Sequence, residues 1–193
     1  MGRKAEADIV EELSTEHRAV EELLARVEAA WTGRQEPADG GDRPVGADSG
    51  AGGGADSGAD SGGSGGHAAV LARGALVEQL SDLLLSHCTA EEEHLFPAVQ
   101  ERVPDGGSMV FTSITDHLAI GQYLSDLAGL APEDPAYRPL VEDLARAVRN
   151  HLDIEERRLF PAARKSLPPA ELVTLGEAVR RDRRAETAGG AEG

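Results

Sequence analysis

An all-α bundle of four helices is the architecture this sequence predicts, on three observations. Alanine, leucine and valine dominate the apolar residues while aromatics make up only 3%, which suits close-packed helices. No short runs alternate apolar and polar residues as strands do. The chain also repeats itself. His-Cys-Thr-Ala-Glu-Glu-Glu-His-Leu-Phe-Pro at 87–97 is echoed by His-Leu-Asp-Ile-Glu-Glu-Arg-Arg-Leu-Phe-Pro at 151–161, and Thr-Glu-His at 15–17 by Thr-Asp-His at 115–117. Each half is therefore one helix with a histidine followed by one with His-x-x-x-Glu. A length of 193 residues fits one domain with a proper core better than two.

The first helix is expected over about 5–31, with Ile9, Val10, Leu13, His17, Val20, Leu24 and Val27 on one stripe. The segment 33–66 then breaks the helical text. It repeats Gly-Ala-Asp-Ser-Gly, and Val45 is its only sizeable aliphatic residue, so it is expected to be a disordered insert. His17 and His87 lie much further apart in sequence than His117 and His151, and this insert accounts for nearly the whole difference. Helix two is expected from near His67, with Leu76, Leu80, Leu83, Leu84, His87, Glu91 and Leu95 inward, up to the stop signal Pro104-Asp-Gly-Gly. Helix three covers about 108–130, with Val110, Ile114, His117, Ile120 and Leu124 inward. Helix four covers about 136–166, with Leu144, Val148, His151, Ile154, Glu155 and Leu159 inward. Pro97 and Pro161 fall inside helices two and four, where each should remove one backbone bond and kink the helix. The bundle thus spans 1–168, with a short extra helix at 169–187 and a frayed tail at 188–193.

A formal charge of −16 argues against nucleic acid, whose partners need clustered Lys and Arg. No apolar run approaches the roughly 20 residues that span a bilayer, so no membrane partner is expected. The N-terminal residues lack the apolar stretch of a signal peptide, and the single Cys88 rules out an internal disulfide and fits a reducing compartment. A cytoplasmic location is expected.

Residues four apart on a helix differ by only about 40° in direction and about 6 Å in height, so each His-x-x-x-Glu leaves one helix face. Such a pair can bind one transition metal, or the carboxylate can reach a second. Single helical histidines are commonplace, but here four fall at equivalent positions in the middle of four apolar stripes. Burying four imidazoles and two carboxylates would cost several kcal/mol unless something satisfied them. A pair of bound dications does so.

Thr-Glu-His, two copies of His-x-x-x-Glu-Glu-x-x-Leu-Phe-Pro, and Thr-Asp-His together resemble the hemerythrin-like, or HHE cation-binding, family. The resemblance covers nearly the whole chain outside the insert and tail. It implies an up-down-up-down bundle with a non-haem di-iron centre, oxo- or hydroxo-bridged, held by His17, His87, Glu91, His117, His151 and Glu155, with both glutamates bridging. It also implies a role in binding or sensing oxygen, peroxide or nitric oxide. A peroxide-decomposing or ferroxidase-type enzyme is the alternative, and a metal-dependent protein-interaction module a third. Oxygen-carrying members have a second histidine one turn after that of helix three, where this chain has Gly121. That leaves an open position, or a replacement ligand for which Glu21 is the candidate. Those members also use the carboxylate five residues after the helix-four histidine, here Glu156, which would need a local bulge. The match with Glu91 favours Glu155. His94 is expected to be a supporting or surface residue, Glu92, Glu93 and Glu156 to form solvated faces, Tyr123 to pack in the core, and Cys88 to point away from the His87 face. His67 has no assigned partner.

Overall fold

The computed structural model describes residues 7–32 and 62–189. The expected disorder at 33–61 and the end of the tail lie outside these residues. Helix α1 is Ile9–Thr32. Helix α2 is a long rod made of Gly62–Ala90, a π-helical turn Glu91–Leu95 and a continuation Phe96–Arg102. Helix α3 is Gly106–Ala128. Helix α4 repeats the α2 design with Tyr137–Ile154, a π-helical turn Glu155–Leu159 and Phe160–Ser166. Helix α5 is Pro169–Gly189. No strand occurs among the described residues. Helix α2 begins at Gly62 rather than near His67, so the last part of the expected insert is helical.

Two apolar layers define the topology. The first contains Leu13, Leu95, Val110 and Leu159; the second contains Val20, Leu84, Ile120 and Val148. Helices α1 and α3 run from the first layer to the second, whereas α2 and α4 run back. The bundle is therefore up-down-up-down, and each of the four central histidines sits between the layers. Ile114 departs from its expected inward place: it is 37% exposed and lies on the groove side of α3.

The prolines act differently from a plain kink. Pro97 and Pro161 offer no N–H and crowd the carbonyl four residues back. The chain answers by widening the turn just before each proline: Phe96 N–H donates to Glu91 O, and Phe160 N–H to Glu155 O, five residues back. Glu91 and Glu155 thus stand at the start of each wide turn. Between α2 and α3, Asp105 takes a left-handed conformation (φ 60°), which Asp tolerates better than most residues. Gly106 follows because a Cβ there would lie 2.1 Å from Val99 O.

Helix α5 lies across the start of α1. Leu172 and Val179 are buried in the first apolar layer, and Arg180 donates to the Ala7 carbonyl at 2.7 Å. Gly176 permits the close approach, since a Cβ there would meet Ala7 O at 2.7 Å.

Candidate metal centre

Six polar side chains meet between the apolar layers. His87, Glu91, His151 and Glu155 are fully buried, and His17 and His117 are nearly so. Glu91 Oε2 lies 3.5 Å from His87 Nε2, 3.2 Å from His117 Nε2 and 3.9 Å from His151 Nε2. Glu155 Oε2 lies 3.5 Å from His17 Nε2, 3.4 Å from His151 Nε2 and 3.9 Å from His87 Nε2. The two carboxylates therefore form the middle, with imidazoles on either side. Each of the six residues singled out from the sequence is at this cluster.

The other ring nitrogens face outward to a set of carboxylates that follows the repeat. His87 Nδ1 donates to Glu16 at 3.1 Å, His117 Nδ1 to Glu92 at 2.7 Å, and His17 Nδ1 to Glu156 at 3.0 Å. Asp116 faces His151 Nδ1 at 3.9 Å, too far for a hydrogen bond. Each support crosses to a neighbouring helix: the acid before His17 holds α2, and the second glutamate of α4 holds α1. A carboxylate only accepts, so it keeps the proton on Nδ1 and leaves Nε2 as the metal donor. Rings are also held by the Leu-Phe-Pro phenylalanines: Phe160 stacks on His17 and Phe96 on His117, with centroids 5.1 and 5.5 Å apart. Helix α5 reaches this outer set through Arg183, which pairs with Glu16.

Glu92 and Glu156 were expected on solvated faces; they are half-exposed, yet each holds a central histidine. The cross-helix supports of Glu16, Glu92 and Glu156 and the two phenylalanine stacks escaped the sequence reading. The motif duplication itself was their signal, because Glu16 recurs as Asp116, Glu92 as Glu156 and Phe96 as Phe160. Glu21 is no candidate for the cluster here: it is half-exposed and pairs with Arg149 at 3.1 Å. His94 lies outside as well, bonded to Asp182 at 2.9 Å. Tyr123 packs, partly buried, against the second apolar layer. Cys88 lines a cavity beside His117.

Electrostatics shows how strongly the cluster asks for positive charge. Burial and the adjacent Glu155 push Glu91 up to about 7. Burial opposes ionisation of Glu155 too, but the neighbouring imidazoles of His17, His87 and His151 hold it below the usual carboxylate range. Burial also opposes charge on His117, but Cys88 and Glu91 outweigh it and push that imidazole up to about 11. His151 goes the other way: burial, only partly offset by Glu155, brings it down to about 4. All four Nε2 atoms and both oxygens of Glu91 and Glu155 are buried without a hydrogen-bond partner. Such orphaned atoms are costly unless a cation engages them, so the donor set fits a metal.

A helical bundle with a buried histidine–glutamate cluster of this kind defines a cation-binding bundle protein. A profile of the Hemerythrin HHE cation binding domain matches residues 8–163, and the chain belongs to this family. Among solved structures, the chain resembles an HHE cation-binding domain-containing protein of Mycobacterium kansasii at 20% identity. The TM-score is 0.63, over 96% of this chain and 89% of that one. No curated protein matches the chain. No helix among the described residues is long and apolar enough to cross a membrane.

Proposed function

We propose that the chain is a cytoplasmic non-haem di-iron protein that binds or senses a small ligand such as dioxygen, peroxide or nitric oxide. One observation carries the reading. Two four-donor groups, His17–His87–Glu91–Glu155 and Glu91–His117–His151–Glu155, share both glutamates. Each group suits one transition metal ion, with the glutamates able to span the pair. Iron there would supply reversible electron exchange with the small ligand. The protein's part is to hold the donors and exclude water, which the two apolar layers do. Four neutral imidazoles and two carboxylates offset only half the charge of two dications. A site left electropositive favours an anionic or electron-rich small ligand over deep oxidation of an organic substrate.

Elemental analysis of aerobically purified, iron-supplied protein is the test, and about two irons per chain are expected. No more than trace transition metal would overturn the reading. Peroxide added in large excess separates the alternative: many turnovers per cluster would identify a peroxide-decomposing enzyme, and saturable binding a sensor or carrier.

A further inference from the structure

Two grooves approach the cluster from opposite sides, and the internal repeat makes them equivalent. One lies between α1 and α4, encloses about 760 Å³ and is lined by His17, Arg18, Glu21, Arg149 and Glu156, among others. Its twin lies between α2 and α3, encloses about 230 Å³ and is lined by His117, Leu118, Gly121, Leu85 and Glu92, among others. Aligning the repeats sets Gly121 against Glu21, Leu118 against Arg18 and Leu85 against Arg149.

The twins differ in what crosses them. In the α1/α4 groove Arg149 bridges the helices, meeting Glu21 at 3.1 Å and Glu28 at 2.7 Å. That strap stands one helical turn from His17. In the α2/α3 groove nothing beyond the adjacent residues and local backbone of α3 itself lies within 4 Å of where a Cβ on Gly121 would stand. Leu85 and Leu118 are 56% and 72% exposed, and apolar. A neighbouring cavity of about 520 Å³ shares Leu85, Gly121 and Leu124 with it and reaches Pro132 and Tyr137. Charged walls hold water tightly, whereas an apolar wall releases it to an uncharged solute at little cost.

We propose that a neutral diatomic ligand, dioxygen or nitric oxide, reaches the cluster through the α2/α3 groove at His117, and that Gly121 and Leu85 keep this mouth open. The ligand's identity rests on the function proposed above; the existence of the mouth does not. The test moves the strap across the repeat, as Gly121→Glu with Leu85→Arg in the full chain. Two readings are taken: xenon uptake by the metal-free protein, followed by 129Xe and amide NMR, and nitric oxide association with the iron-loaded protein in stopped flow.

Wild type should take up xenon beside Gly121, and the strapped variant should lose it. At unchanged iron content, the variant's nitric oxide association should slow at least about tenfold, equivalent to about 1.4 kcal/mol of added barrier. Absence of xenon from the wild-type groove, xenon retained in the variant, or an unchanged rate despite its loss would each overturn the proposal. If iron loads but nitric oxide binds neither protein, the function reading fails and xenon alone decides the mouth. Should the double variant not fold, Gly121→Leu fills the same open space on a helix-compatible side chain and takes the same two readings.

Discussion

Glu16→Ala probes the outer carboxylates most sharply. Glu16 accepts from His87 Nδ1 at 3.1 Å, and its side chain is only 11% exposed beside a histidine that is fully buried. Truncation leaves a buried N–H with no acceptor, at a cost of about 1–3 kcal/mol. The ring loses both its preferred tautomer and its orientation, so metal affinity should fall about 10–100-fold. Glu156 makes the equivalent contact to His17 at 3.0 Å, but is 53% exposed. Water can take over from it, so Glu156→Ala should weaken binding by less than about tenfold. Glu16→Gln keeps an acceptor and loses the charge, and should fall between wild type and Glu16→Ala. Because Arg183 also pairs with Glu16, Arg183→Ala serves as the control for the loss of that pair. Chelator competition on metal-loaded protein, with circular dichroism to show intact helices, measures all four. Equal losses for Glu16→Ala and Glu156→Ala, or a Glu16→Ala affinity within about twofold of wild type, would refute burial as the deciding factor.

Three further outcomes are expected. Metal loading at neutral pH should release protons, because His117 held up at about 11 and Glu91 raised to about 7 carry protons that a cation must displace. Apparent affinity should then rise with pH, and calorimetry in buffers of different ionisation enthalpy would show the release; buffer-independent heats would contradict it. Gly176→Ala should press α5 away from α1, since its Cβ would stand 2.7 Å from Ala7 O and 2.9 Å from Asp8 C. A destabilisation of about 1–3 kcal/mol should appear in denaturant unfolding. His151→Ala should lose metal, whereas His94→Ala should keep it and forfeit only the half-exposed contact with Asp182; equal metal loss in elemental analysis would place His94 in the site.

The helices and the six central residues were legible because both depend on local periodicity. Apolar spacing marks one face of each helix, and a histidine four residues before a glutamate falls on that face whatever the partner helix does. Duplication made the pattern specific: Glu91 and Glu155 occupy matching places, and both are buried at the cluster. Packing between helices was not legible in this way. Glu92 and Glu156 read as surface residues from their own helices, and only the neighbouring helix turns them toward His117 and His17. The lack of a proline N–H announced a disturbance at Pro97 and Pro161, but the balance among neighbouring backbone bonds resolved it as a wide turn. Ile114 kept helical spacing and still ended 37% exposed, because α2 and α3 leave a groove there. Sequence by itself determined which side chains share a helix face. Tertiary structure alone decided which faces meet, which acids hold which imidazoles, and that Arg149 straps one groove while Gly121 leaves its twin open. The physical reason is range: helical periodicity is set within a few residues, whereas these contacts join residues distant in the chain through the packing of whole helices.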